Sequence, residues 1–221
     1  KILNQFIMKL LLSTIWLLAI SCGQNDNSGK KENPDKEPSE TKADKKNTDI
    51  LANSFPATAM FGIKAAKIVY NYTDGQETGT ETLYFDDYGA VAVMVVDRKS
   101  KYSIVNQTTI WKNKQSIIIN HETKRVAKSS FRPKATEPPA IADTDEKTRK
   151  NIGYEKLADE TIAGKTCEVW FNAKQNFKYC LWNKVALKEA LGTSIVREAT
   201  TVEEIAEIPA SVMEIPKDYK Q

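Results

Sequence analysis

Ala66-Lys67-Ile68-Val69-Tyr70-Asn71-Tyr72-Thr73-Asp74-Gly75-Gln76-Glu77-Thr78-Gly79-Thr80-Glu81-Thr82-Leu83-Tyr84-Phe85 is the stretch that decides the fold class. Ala66, Ile68, Tyr70 and Tyr72 alternate with Lys67, Val69 and Asn71, the period of two expected of a strand that buries one face. Asp74-Gly75 supplies a turn, and Thr78 to Phe85 resumes with β-branched and aromatic residues. The pattern predicts a β-hairpin.

The same grammar runs outward from it. Asp86-Asp87-Tyr88-Gly89 reads as a turn, and Ala90 to Val96 as an uninterrupted apolar strand covered on both faces. Ser103 to Trp111, Ser116 to Asn120 and Arg125 to Ser129 follow, separated by the polar turns Lys112-Asn113-Lys114 and His121 to Lys124. Connections this short force antiparallel neighbours. Arg132 to Ala142, with Pro133, Pro138 and Pro139, reads as a loop. Asp143, with Glu146 three residues on, then marks the capped start of a short helix ending near Gly153.

Strand signals return at Tyr154 to Ile162, Lys165 to Asn172, Phe177 to Trp182, Ser194 to Ile205 and Val212 to Ile215. Turns are expected at Ala163-Gly164 and around Ala173-Lys174. Roughly nine short strands with few helices make an antiparallel meander. A sheet that long must curl to protect its edges, so a barrel or half-open barrel is expected, with one or two short helices or loops closing one side.

The N-terminal part has a different character. Met8-Lys9-Leu10-Leu11-Leu12 reads as a translation start with a charged n-region, and Leu10 to Ile20 is apolar except for Ser13 and Thr14. That is a signal peptide rather than a membrane span, being too short for a hydrocarbon core of about 30 Å. Leu18-Ala19-Ile20-Ser21-Cys22 resembles the lipobox of bacterial lipoproteins, which implies cleavage after Ser21 and acylation of Cys22. Two or more acyl chains give stable anchoring, since each buried methylene contributes about 0.8 kcal/mol. Gly23 follows the cysteine in place of an inner-membrane retention aspartate. The expected location is therefore the bacterial envelope, most simply the outer membrane.

Residues 22–49 combine that cysteine with a segment nearly devoid of large apolar side chains and rich in Lys, Glu, Asp, Asn, Ser and Pro. Such a composition cannot bury enough surface to fold. We read it as a tether reaching about 30 Å. Residues 50–221 have the length of a single domain. The chain has 32 Lys and Arg against 29 Asp and Glu, and removing residues 1–21 takes away Lys1 and Lys9 and no acid, so +3 becomes +1. That balance gives no reason to invoke nucleic acid.

Four segments carry a family resemblance: Lys67-Ile68-Val69-Tyr70; Leu83 to Gly89; Tyr154 to Cys167; and Ile208-Pro209-Ala210-Ser211-Val212-Met213-Glu214-Ile215-Pro216. Together they are similar to the lipoprotein carrier and receptor proteins of the LolA/LolB type and their envelope relatives. The resemblance implies a half-open antiparallel β-barrel whose concave apolar face holds an acyl chain, a lipoprotein or another amphiphile. An anchor at Cys22 departs from a soluble shuttling carrier and is closer to the anchored receptor.

Few residues suggest chemistry. With a two-residue turn at Ala173-Lys174, Cys167 and Cys180 would face each other across two strands, close enough for a disulfide, which an envelope compartment permits; two buried thiols are the alternative. His121 is the only histidine and sits in a polar turn, short of what a catalytic triad or metal site needs. Asp86 and Asp87 fit turn chemistry, and Asp143, Asp145 and Glu146 fit helix capping better than a calcium loop. Gly164-Lys165-Thr166 lacks the upstream glycine of a phosphate loop and reads as a hairpin turn. Tyr70, Tyr72, Phe85, Trp111, Trp170 and Trp182 are candidates to line a cavity, or else ordinary core.

No nucleophile, base and orienting group assemble from these motifs, so no catalytic residue, metal or cofactor is expected. The expected function is a non-enzymatic, membrane-anchored binding module for a hydrophobic ligand. The alternative is a solid scaffold that docks on another envelope component and has no internal ligand.

Overall fold

The computed structural model describes residues 59–220, apart from the side chain of Ile195. These lie within the compact unit Leu51–Gln221, which holds three hydrophobic clusters of its own and so has what a domain needs to fold independently. The proposed signal peptide, Cys22 and the tether lie outside the described residues.

Among the described residues, twelve strands form the sheet. The first half is β1 (Ala66–Thr73), β2 (Thr78–Asp86), β3 (Val91–Lys99), β4 (Ile104–Lys112), β5 (Gln115–Asn120) and β6 (Arg125–Ser129). A crossover then carries two 3-10 turns and one short helix, α1 (Glu146–Asn151). The second half is β7 (Tyr154–Lys156), β8 (Glu160–Ile162), β9 (Lys165–Asn172), β10 (Phe177–Trp182), β11 (Val185–Leu191) and β12 (Ser194–Glu204). The sheet order is β6-β5-β4-β3-β2-β1-β12-β11-β10-β9-β7, with β8 also on β9. All strand pairs are antiparallel. The sheet is not closed into a barrel. It is mainly β with few short helices, consistent with the expected half-open barrel.

Local chemistry explains the opening hairpin. Ala66, Ile68 and Tyr70 are fully buried, while Asn71 is exposed. The Asp74 carboxylate accepts from the amides of Gln76 (2.9 Å) and Glu77 (2.7 Å), and Gly75 takes φ +89° to complete the turn. The strand β3 is covered on both sides, as its unbroken apolar run predicts: Met94 belongs to one cluster with Ile68 and Phe85, and Val93 to another with Ile110 and Ile119.

Directly opposed residues share a face, so register identifies the two surfaces of the sheet. One face carries Trp111, Ala92, Phe85 and Ala66 at one end. Toward the other end it carries Arg98, Gly79, Tyr72, Arg197, Glu189, Tyr179 and Trp170. The crossover from edge strand β6 to edge strand β7 passes over this inner face. Arg132 donates to the carbonyls of Gly89 (2.8 Å) and Thr136 (2.6 Å), and Ile141 and Ala142 pack with Trp170, Leu181 and Ala186. The opposite face of the first half is covered by the C-terminal segment, whose Ile208, Val212, Met213 and Ile215 pack over Val93, Ile110, Ile119 and Val126.

Several expectations are corrected. Val212 to Ile215 is not a strand: Ala210–Met213 is a 3-10 turn, flanked by Pro209 and Pro216, which cannot donate to a ladder. The helix cap is Asp145 rather than Asp143; its side chain accepts from the Thr148 amide at 2.9 Å. Tyr154 to Ile162 divides into β7 and β8, both paired with β9. Strand β11 has no strand signature, since Ala, Leu, Lys and Glu are helix formers, yet the slot between β10 and β12 makes it a strand.

The disulfide Cys167–Cys180 is present, with Cα atoms 5.4 Å apart. Its expected register is wrong. Asn172 pairs with Phe177 across a four-residue connection, so Cys180 faces Val169 and the bond runs diagonally to Cys167.

Candidate functional site

Glu81 and Arg98 show how sequence parity builds a charged site inside this sheet. Glu81 shares the inward parity of Leu83 and Phe85 on β2, and Arg98 that of Met94 and Val96 on β3. A charge on a buried parity needs a partner. Glu81, 3% exposed, accepts from Arg98 and, at 3.3 Å, from Arg197 of β12. Arg197 also donates to Glu189 of β11 at 2.6 Å. Arg98 makes a further ion pair with Glu77 at 3.7 Å. The network thus ties β2 and β3 to β11 and β12 across the centre of the sheet.

Gly79 permits one further contact. In the register it lies between Tyr72 and Arg98, and with no side chain there the Arg98 guanidinium reaches the Tyr72 ring, 3.6 Å from its centroid. A Cβ on Gly79 would fall 2.1 Å from the Asp97 carbonyl oxygen, so no larger residue fits without displacing the backbone of β3.

Tyr70 lies beneath this network, fully buried, with Arg197 4.9 Å from its ring centroid. Burial holds the Tyr70 hydroxyl well above the ordinary tyrosine range, so it stays protonated. Burial also works against the charge of Arg197, but the carboxylates of Glu189 and Glu81 outweigh it and the guanidinium is held more firmly charged than usual. Tyr179 is pushed up to about 12, first by burial and then by Glu189. The Tyr70 hydroxyl and the Nε atoms of Arg98 and Arg197 are buried without a hydrogen-bond partner.

Between this floor and the crossover lies a cavity of about 700 Å³. Tyr72, Glu81, Arg98, Tyr179, Glu189 and Arg197 form the floor; Met60, Pro138, Pro139 and Val196 add apolar wall, and Lys134, Glu137 and Asp143 add charge from the crossover side. Other cavities lie elsewhere on the described residues. One of about 340 Å³ lies by Trp182, Arg149 and Glu168, and one of about 650 Å³ lies between His121, Thr108 and the C-terminal segment. His121 there contacts Thr108 Oγ1 (2.9 Å) and the Tyr219 hydroxyl (3.1 Å). Among the described residues, no group of three or more His, Cys, Asp or Glu is placed to hold a metal ion.

The six candidate aromatics separate. Tyr72 lines the main cavity and Tyr70 lies under its floor. Phe85 is in the core against Phe61, ring centroids 4.3 Å apart. Trp111 lies under Arg132, and Trp170, fully buried, lies under Arg149. Trp182 borders the cavity of about 340 Å³, with Lys165 over its ring. Sequence reading missed Glu81, Arg98, Glu189 and Arg197. The available signal was charge at inward parity on β2 and β3; nothing local marked Glu189 on a strand with helix-forming composition.

No family model matches the chain, and no curated protein matches it. Among solved structures, an uncharacterized conserved protein from Thermus thermophilus is similar with a TM-score of 0.49 and 8% identity, over 71% of this chain and 88% of that one. The complex of Pseudomonas aeruginosa MucA/MucB is similar with a TM-score of 0.43 and 12% identity, over 69% of this chain and 56% of that one. Neither likeness assigns a ligand or an activity.

Proposed function

We propose that this chain is a lipid-anchored envelope protein whose half-open barrel binds an amphiphile, with Cys22 as the point of attachment to a bacterial membrane, most simply the outer one. The observation that carries the binding reading is the cavity of about 700 Å³ left between the crossover and the inner face of the sheet. Its volume falls in the range of small-molecule sites, and its wall combines apolar groups with convergent polar ones. The charged floor favours an amphiphile, such as the acylated end of a lipoprotein, over a bare hydrocarbon chain. The resemblance of the quoted segments to LolA/LolB-type proteins and the lipobox at Leu18 to Cys22 point the same way. The role is binding rather than catalysis.

The test is native mass spectrometry of Leu51–Gln221 exported to an envelope compartment, followed by solvent extraction of whatever travels with it. Stoichiometric bound amphiphile is expected. A clean unliganded mass that does not change on incubation with envelope lipids would refute the binding module and favour the scaffold. Metabolic labelling with a radioactive fatty acid tests the anchor, and Cys22→Ala should abolish incorporation.

A further inference from the structure

One end of the sheet is set apart by its charge. Register brings together there the segment 59–65 before β1, the turn Asp87–Gly89 after β2, the turn Asn113-Lys114 after β4 and residues 130–134 after β6. Met60 and Phe61 donate to the Tyr88 carbonyl, and the Tyr88 amide donates to the Lys64 carbonyl. Arg132 donates to the Gly89 carbonyl and lies over Trp111, the neighbour of Lys112.

Lys64, Lys112, Lys114, Lys128 and Lys134 are exposed on this end, and the acids in its turns are Asp86 and Asp87. Asp86 is engaged by its own loop, accepting from the Asp87 amide. Among the described residues, Lys64, Lys112, Lys114 and Lys134 form no ion pair, whereas Glu203 and Glu204 nearby are paired with Lys67 and Lys165. Phe131, 81% exposed, stands next to these lysines, since Ser129 lies opposite Ser116 at the start of the β4–β5 turn. The other exposed apolar tip, Tyr102 and Ile104 at the opposite end, is mixed in charge: Lys99 and Lys101 stand beside Asp74, Glu77 and Asp97.

The entry point of the chain selects the occupant of the basic end. The described residues begin there at Ala59, so the segment running back to Cys22 joins the domain on this side. Each lysine brought to an anionic lipid surface strengthens attachment about fivefold, and an aromatic ring settles at headgroup level. We propose that this end is a membrane-docking face, with Lys64, Lys112, Lys114 and Arg132 against anionic phospholipid headgroups and the Phe131 ring between them. The inference deepens the proposed anchoring at Cys22 and rests on it: the anchor holds the domain near a surface, and the basic end decides how it lies there.

The test is sedimentation of Leu51–Gln221, which carries no anchor, with vesicles of phosphatidylethanolamine and about one-third phosphatidylglycerol, compared with vesicles of phosphatidylcholine. At about 0.05 M salt the anionic vesicles are expected to bind about tenfold more tightly or better, and about 0.5 M salt should remove most of that difference. Lys112→Gln with Lys114→Gln should weaken anionic-vesicle binding about tenfold or more, and Phe131→Ser about threefold or more, with near-ultraviolet circular dichroism confirming each fold. Tyr102→Ser with Ile104→Ser should change it less than about twofold. None of the substituted side chains lines the cavity of about 700 Å³, so lipid taken up there would be indifferent to them. Equal binding to both vesicle types, no binding to either, or a loss caused by the Tyr102 variant rather than the Phe131 variant would overturn the docking face. Those results would leave the anchor standing, because it is read separately by the fatty-acid label on Cys22, whose absence would overturn the anchoring itself.

Discussion

Replacing Arg197 by Met tests whether the buried network is held by charge pairing, and the structure sets both sign and size. The Arg197 side chain is 13% exposed and donates to Glu81 (4% exposed) and Glu189 (18% exposed). Met has a similar stem and packs against Tyr70, so the change removes charge more than volume. It leaves Glu189 without its 2.6 Å partner and Glu81 dependent on Arg98 alone. Stranding a buried charge costs about 3–5 kcal/mol, whereas replacing both members of a pair by apolar groups is often near neutral. Arg197→Met should therefore destabilise strongly, and Arg197→Met with Glu189→Met should recover at least half of the loss. In urea, with a slope of about 2 kcal/mol per molar, the single variant should lose about 1.5–2.5 M in its unfolding midpoint. Equilibrium unfolding of Leu51–Gln221 followed by tryptophan fluorescence measures it. A single variant within about 0.5 M of the parent, or a double variant no more stable than the single, would show that charge pairing does not hold the network.

Removing the disulfide by Cys167→Ala and Cys180→Ala should cost about 3 kcal/mol for a loop of this length, a fall of about 6–12 °C in Tm. Both residues are essentially buried, so thiol labelling of the native protein under mild reductant should be slow and should appear only on unfolding; rapid native-state labelling would contradict this placement. Phe61→Ala should cost about 3–5 kcal/mol, because its buried ring packs on Phe85, ring centroids 4.3 Å apart, and its loss leaves a cavity in the core; a Tm within about 2–3 °C of the parent would contradict it. Stability should also fall on acidification. The Lys178 hydrogen bond holds the Glu160 carboxyl below the usual glutamate value, and the Thr148 amide does the same for Asp145. A depressed native pKa contributes stability that is present above the unfolded value and lost as pH falls through the native one, so Tm should drop progressively below about pH 4. A Tm that rises on going from about pH 5 to about pH 3 would refute that account.

The class of the fold was legible in local pattern alone. Alternation over Ala66 to Tyr72, the Asp74-Gly75 turn and the two-sided apolar run at Ala90 to Val96 each express a period or a backbone preference that a few neighbouring residues determine. The limits of β6, β9 and β10 were read in the same way, because charged or glycine-containing turns bound them. The disulfide followed from two cysteines on adjacent strands, although its register did not, since a hairpin loop of two residues or four satisfies the same alternation.

Only tertiary structure decided the rest. Pairing of β1 with β12 joins residues more than a hundred positions apart, and it places the two edges of the sheet in mid-sequence at β6 and β7. That choice sends the crossover over the inner face and makes the cavity. It also brings Glu81 and Arg98 from one end of the domain to Glu189 and Arg197 from the other. Periodicity says that such charges point inward. Which opposite charge meets each of them depends on long-range register, and register is set by packing across the whole sheet rather than by any local stretch of chain.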